Sequence, residues 1–234
     1  MNNEIIFLAE VIFVFSFNLV CFLLGKKWLF SLVCAEIILM NIFVLAQFSL
    51  FGFDLTGGNV LYAAIFLSTD MVSEIYGKKS AKNLVKMGFL VTIFFVIITQ
   101  IFTKFSPNQF DGENFDRLKT IFQFSPRIFA ASMISYLFCQ FLDISIFHII
   151  RKKTAGKFLW LRNLLSTGMA QFLDSIIFTF LGLVTFSFLP GVIPLEIFWQ
   201  IAMATFVIKF LVAILDTPFI YLAVFLNKKI NFKK

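Results

Sequence analysis

The sequence predicts an all-α membrane protein, a bundle of about seven transmembrane helices, from three observations. The 234-residue chain is 60% hydrophobic and only 14% charged, whereas soluble domains are about 25% charged. Its apolar residues form seven long runs, and one bilayer crossing takes about 20 residues. The runs show no two-residue alternation, which favours helices over barrel strands. The runs cover 5–24, 29–51, 58–76, 83–103, 127–150, 163–188 and 200–226.

Each run ends at glycine, proline or a cluster of charges, which interrupt membrane helices. The first run is too long for the apolar part of a secretion signal, and Gly25-Lys26-Lys27 follows it instead of a cleavage site. It is therefore expected to remain as a helix. The longest polar stretch, 104–126, is expected to be an external loop. The other breaks fall at 52–58, 77–79, 151–162 and 190–194.

The loop charges orient the predicted bundle. Alternating crossings put 15 of the 20 Lys and Arg residues on one side and 4 on the other, with Lys209 inside a run. Cytoplasmic loops are enriched in Lys and Arg, so the N-terminus is predicted outside and the C-terminus inside. The net charge of +7 comes from these short loop clusters, which argues against a direct nucleic-acid partner.

Carboxylates inside the apolar runs indicate a functional site. Asp70, Glu74, Asp143, Asp174 and Asp216 lie among Phe, Ile, Leu and Val residues, where a charge costs at least about 2.5–3.5 kcal/mol. In the seven-helix arrangement the four aspartates come from four helices, about 12–18 Å from the cytoplasmic edge. The sequence therefore predicts that they share one layer near the middle of the bilayer, which points to transport.

Further polar residues lie in line with these acids. Residues three or four apart share a helix face, and two such stripes each end in an aspartate. They are Ser132, Tyr136, Gln140 and Asp143 in the fifth run, and Asn163, Thr167, Gln171 and Asp174 in the sixth. Arg162 precedes the second stripe. Lys209 lies seven residues before Asp216 on one face of the last run, where it could form a structural ion pair or take part in transport.

The residue inventory argues against an enzyme. No GxSxG or HExxH motif and no phosphate-binding glycine loop occurs, and a single His with three unpaired Cys leaves no zinc site. No metal and no cofactor is expected.

Two segments resemble the queuosine precursor transporter family, formerly called putative vitamin uptake transporters. The first runs from Leu55-Thr-Gly-Gly-Asn59 through Asp70-Met-Val-Ser-Glu74-Ile-Tyr76-Gly-Lys-Lys-Ser-Ala81, and the second is Arg162-Asn163-Leu-Leu-Ser-Thr167 to Gln171-Phe-Leu-Asp174. The resemblance covers 29–226, so 1–28 is expected to be an additional N-terminal helix of a single domain, 1–234.

The resemblance implies import of 7-deazaguanine bases, such as pre-queuosine zero, pre-queuosine one or queuine, across the inner membrane of a bacterium. Carboxylates can accept the adjacent N–H donors of a guanine-like edge, and aromatic rings can stack on its face. The residues expected to bind substrate are Asp70, Glu74, Tyr76, Asp143, Asn163, Gln171 and Asp174. Those expected to act in coupling or gating are Arg162, Lys209 and Asp216.

Two other functions are compatible with the residues. One is a substrate-binding subunit for vitamin uptake that depends on a separate ATPase module. The other is a non-transporting membrane scaffold, in which the buried acids form only structural pairs. The sequence leaves open the choice of precursor, the energy source and the oligomeric state.

Overall fold

The computed structural model describes residues 3–44, 46–50, 52–108, 110, 112–122, 126–185 and 193–231. These residues contain eight α-helices and one antiparallel hairpin of two strands, β1 (Gln47–Leu50) and β2 (Phe53–Thr56). A π-helical turn, Thr179–Leu183, continues α7, and a 3₁₀ turn, Leu195–Ile197, precedes α8. The helices are α1 Asn3–Leu24, α2 Lys26–Phe43, α3 Asn59–Ile75, α4 Gly77–Phe102, α5 Gly112–Phe122, α6 Pro126–Lys153, α7 Leu159–Phe178 and α8 Phe198–Asn231.

Within the described residues, five helices are long and apolar enough to cross a membrane. They are α1, α4, α6, α7 with its π-helical turn, and α8 with its 3₁₀ turn. The helix α2 differs because it carries Lys26, Lys27 and Glu36, and α3 differs because it has only 17 residues. The predicted helical class is confirmed, whereas seven crossings and their orientation stay predictions.

Two predicted segments contain an element that the sequence analysis did not predict. The second apolar run, 29–51, contains both α2 and strand β1, so it is not one helix. The chain reverses after β1, where Gly52 adopts a φ of 80°, a left-handed conformation that favours glycine. The predicted loop 104–126 contains α5, whose Phe115 ring lies 5.3 Å from the Phe102 ring of α4.

Helix α3 lies at the centre of the bundle. Every residue from Val60 to Ser73 is buried, and α3 packs against α1, α2, α4, α6 and α8. The surrounding helices instead expose large apolar side chains, including Phe13, Phe94 and Phe225, each more than 60% exposed. Such surfaces suit lipid, and a polar side chain on α3 must find its partners inside the protein.

Contacts between polar side chains fix the relative directions of the helices around α7. Moving forward along α3, Tyr62, Asp70 and Glu74 contact α7 residues that come progressively earlier in the chain. The helices α3 and α7 are therefore antiparallel. Helix α6 is also antiparallel to α7, since Ser135 contacts Asp174 and the later Asp143 contacts the earlier Thr167. Helix α8 is antiparallel to α7 as well, through the pairs Lys209–Asp174 and Asp216–Asn163.

Gly57 lies where the hairpin returns toward α3 and passes close to the end of α2. A Cβ atom added there would lie 2.9 Å from the backbone oxygen of Phe43. We expect Gly57→Ala to destabilise the protein by about 1–3 kcal/mol, because backbone must move to relieve the overlap. Thermal unfolding of the detergent-solubilised protein measures this. In the control variant Gly112→Ala, the added Cβ meets nothing within 4 Å, and equal midpoints for the two variants would contradict the expectation.

Candidate functional site

Three of the predicted acids meet at the centre of the bundle, together with two residues of α7. The Thr167 hydroxyl lies 3.1 Å from Asp70 Oδ2 and 3.3 Å from Asp143 Oδ1. Asn163 Nδ2 donates to Asp216 Oδ1 at 2.7 Å. All five side chains are fully buried. We call this set, Asp70, Asp143, Asn163, Thr167 and Asp216, the acidic layer.

The acidic layer has more hydrogen-bond acceptors than donors. Thr167 has a single hydroxyl proton for two neighbouring carboxyl groups. One oxygen of Asp70, of Asp143 and of Asp216, and the Asn163 carbonyl oxygen, have no hydrogen-bond partner among the described residues. Buried acceptors normally find a donor, and buried charges normally find a counter-ion. The layer therefore has free capacity for a ligand that brings N–H donors.

Asp174 lies apart from this set. Lys209 Nζ contacts Asp174 Oδ2 at 2.6 Å, the Tyr62 hydroxyl donates to Asp174 Oδ1 at 2.7 Å, and Ser135 also bonds to it. The ammonium group of Lys209 lies 4.8 Å from the centre of the Tyr62 ring, a cation–π distance. We call Tyr62, Ser135, Asp174 and Lys209 the lysine layer. Its carboxylate already has a counter-ion.

The prediction of one shared layer for four aspartates is wrong for Asp174. It follows Thr167 by seven residues on α7, which is about 10 Å along a helix. The same four helices, α3, α6, α7 and α8, supply both layers. The bundle therefore contains two stacked polar sites, one with three carboxylates and one with an ion pair.

A third polar cluster lies beyond the acidic layer. Arg162 pairs with Glu74 at 2.6 Å, and Arg151 lies 3.7 Å from the same carboxylate. Arg162, only 1% exposed, also donates to the backbone oxygens of Gly156 and Lys157, both at 3.0 Å. We call Glu74, Arg151 and Arg162 the arginine end. It links α3, α6 and α7 at one end of the bundle.

Arg162 is expected to resist conservative replacement. Its guanidinium contacts one carboxylate and two carbonyl oxygens, whereas an ammonium group is a single point on a flexible stem. We expect Arg162→Lys to cost about 1–3 kcal/mol, because at least one buried acceptor loses its donor. Thermal unfolding in detergent measures the loss, with Lys119→Arg on α5, a helix with no buried residue, as a control. Unfolding of Arg162→Lys at the wild-type temperature would contradict this expectation.

The remaining predicted substrate residues differ in position. Gln171 is fully buried, between Thr167 and Asp174 along α7, and its amide has no partner among the described residues. Tyr76 is 37% exposed and lies against Phe22 and Lys26. The structure therefore does not bring Tyr76 to either layer.

Sequence reasoning missed several partners. Ser135, rather than the predicted Ser132, bonds to Asp174; it precedes Asp143 by eight residues, a spacing that keeps both on one face. It also missed a separate network in which Asn18 donates to Glu36 at 2.5 Å and accepts from Ser68. A single amide within an apolar run was the available signal for Asn18, since such a group needs a partner in lipid.

Comparisons with known proteins bear on this arrangement. A family profile described as "Putative vitamin uptake transporter" matches residues 56–223. A protein of Bacillus subtilis (strain 168) named "Probable queuosine precursor transporter" is 33% identical over 200 residues, 85% of this chain and 84% of its own length. The "Queuosine precursor transporter" of Escherichia coli (strain K12) is 28% identical over 175 residues, 74% of each chain. No solved structure matches the chain at a significant level.

The matched range covers most of the chain and includes every residue of the acidic layer, the lysine layer and the arginine end. The Bacillus subtilis relative extends the similarity over nearly the whole of both proteins. This chain belongs to the family described as "Putative vitamin uptake transporter".

Proposed function

We propose that the chain imports queuosine precursors, 7-deazaguanine bases such as pre-queuosine zero, pre-queuosine one or queuine, into the cytoplasm of a bacterium. It acts as a single domain, 1–234, in which 29–226 form the family-like core and 1–28 an additional helix. The names of two relatives support this cargo. The observation that carries the proposal is the acidic layer, where three buried carboxyl groups form no ion pair with a Lys or Arg among the described residues.

The chemistry of the layer suits such a base. A guanine-like edge presents adjacent N–H donors, and a carboxylate accepts two parallel hydrogen bonds from donors in that arrangement. Asp70, Asp143 and Asp216 each have one buried oxygen with no hydrogen-bond partner in the described part of the chain. Gln171 offers an unpaired amide that can donate to the carbonyl oxygen of the base. We assign substrate binding to Asp70, Asp143, Asn163 and Gln171, with Asp216 alongside.

The two ion pairs suit a different role. Asp174 with Lys209, and Glu74 with Arg162, are already neutralised, and they lie on opposite sides of the acidic layer along α7. A carrier must close one side of its site while the other is open, and a buried ion pair can hold such a closure. We assign these pairs to gating, which replaces direct substrate contact as the role of Asp174 and Glu74.

The distribution of bases supports seven crossings of the inner membrane, with the N-terminus outside. Lys26 donates to Ser80 at 3.0 Å, so the turn after α1 adjoins the turn after α3. Arg151 contacts Glu74 and the Ser73 backbone oxygen near that same turn. Several of the basic turns therefore gather at one end of the bundle, which we assign to the cytoplasm.

Uptake of a labelled precursor tests the proposal in cells that lack their own importer. The chain is expressed alone and together with an ATPase module of the kind that serves vitamin uptake. Accumulation with the chain alone is the expected result. Accumulation only with the module would show a substrate-binding subunit, and no accumulation in either arm, with the protein present in the membrane, would favour a scaffold.

A further inference from the structure

We infer that the acidic layer selects a cargo that carries a positive charge, a 7-deazaguanine base with an ammonium group on its side chain. This inference rests on the proposed function and adds the charge of the substrate. It separates an aminomethyl base, which is a cation at neutral pH, from its cyano counterpart, which has the same ring and no charge.

The first argument is the charge within the layer. Three carboxyl groups lie together, fully buried, and no Lys or Arg of the described chain forms an ion pair with them. The basic residues that come closest to the layer along α7 and α8 are Arg162 and Lys209. Each already forms an ion pair, Arg162 with Glu74 and Lys209 with Asp174. An uncharged base brings N–H donors but no positive charge, whereas an ammonium group supplies both a charge and three donors.

The second argument is geometric. Asp70 and Asp143 approach the same hydroxyl, that of Thr167, from α3 and α6. Their carboxyl groups also lie within hydrogen-bond reach of each other, and each keeps one oxygen that accepts no hydrogen bond from a donor of the described residues. Two carboxylates around one point form a receptor for an ammonium group, because a single cation can bridge both. We assign this pair to the side-chain ammonium.

The third argument concerns the rest of the cargo. Asp216, oriented by Asn163 at 2.7 Å, remains to accept the N–H donors of the ring edge. Gln140 and Gln171 are fully buried, and both ends of each amide lack a partner among the described residues. Gln140 lies three residues before Asp143 on α6, and Gln171 lies four residues after Thr167 on α7. An amide can donate to a ring carbonyl and accept from a ring N–H. These unpaired groups indicate a ligand rather than a core packed only against itself.

The test compares the two bases on the purified protein in detergent, where no membrane potential can favour a cation. Unlabelled 7-aminomethyl- and 7-cyano-7-deazaguanine compete with labelled aminomethyl base for binding to the wild-type chain. We expect the aminomethyl compound to compete at least about tenfold better, the factor expected for one additional hydrogen-bonded charge pair. Equal competition, or better competition by the cyano compound, would overturn the inference.

Asp143→Asn locates the effect. We expect this variant to lose most of the preference for the aminomethyl compound while it still binds the cyano compound, because the ring contacts remain. Asp116→Asn makes the same chemical change on the exposed face of α5 and should keep the wild-type ratio. If the preference for the aminomethyl over the cyano compound is unchanged in Asp143→Asn, Asp143 does not bind the ammonium group.

The inference and the proposed function fail in different ways. If neither base binds the wild-type protein or enters cells, the proposed function is wrong. If both bind and enter cells but charge makes no difference, the import function stands and the inference is wrong. The wild-type comparison gives a result even if the variant does not fold.

Discussion

Asp70→Asn should reduce uptake of a labelled aminomethyl precursor by about ten- to a hundredfold. The change keeps the size of the side chain and removes its charge. Hydrogen bonds to charged groups contribute about 1.5–3 kcal/mol each, which corresponds to this range of rates. Asp70 is fully buried on α3, contacts Thr167 and keeps one oxygen without a partner among the described residues. The initial rate of uptake in cells without their own importer measures the effect.

The stability of the same variant separates a carrier from a scaffold. Asp70 and Asp143 approach the same hydroxyl, that of Thr167, and two like charges held so close disfavour each other. Removing one charge should therefore leave the unfolding temperature unchanged or raise it, while uptake is lost. A scaffold held by structural pairs predicts the opposite, a lower unfolding temperature. Asp116→Asn, exposed on α5, should change neither quantity. Normal uptake by Asp70→Asn would remove the acidic layer from the transport mechanism.

Lys209→Met should destabilise the protein by about 3–5 kcal/mol, the cost of removing one partner of a buried ion pair. The Lys209 ammonium lies 2.6 Å from Asp174 Oδ2, and without it a buried carboxylate keeps only the hydroxyls of Tyr62 and Ser135. Methionine retains most of the apolar volume of lysine, so the change tests the charge. Thermal unfolding in detergent and the amount of protein in the membrane are the measurements.

The double variant Lys209→Met/Asp174→Asn distinguishes a structural pair from a gate. It removes both charges, so most of the lost stability should return, since neutral replacement of a buried pair costs little. We expect uptake to stay low, because in the proposed mechanism this pair closes one side of the site. Recovery of both stability and uptake would show that the pair only stabilises the bundle. Lys119→Met on the exposed α5 controls for loss of a lysine elsewhere.

Much of the candidate site could be predicted from the sequence. Asp70, Asp143 and Asp216 were selected because each interrupts an apolar run, and Asn163 because it belongs to a polar stripe on one helix face. The structure places all four in one buried cluster. This works because the cost of a charge in an apolar setting depends on the residue and its neighbours in the chain. The helical class follows for the same reason, since lipid requires every backbone group to be paired within its own segment.

The errors have physical reasons as well. Depth counted from the first cytoplasmic Lys or Arg put Asp174 with the other aspartates, although Asp174 follows Thr167 of the acidic layer by seven residues on α7. The apolar run 29–51 concealed a strand because Phe and Leu suit both helices and strands when they are buried. Tyr76 was included on the family resemblance, and its ring lies half-exposed beside Lys26.

By itself the sequence determined that this chain is helical and apolar, that it resembles one transporter family, and that the aspartates inside its apolar runs are buried. Those properties follow from local composition and spacing. Only the tertiary structure decided which acids have a counter-ion. The partners of Asp174 lie 35 residues away, at Lys209, and 112 residues away, at Tyr62, and no local pattern encodes such a pairing. The acidic layer and the lysine layer are separate because α3, α6, α7 and α8 pack at fixed heights relative to one another, which brings each set of side chains together at its own level.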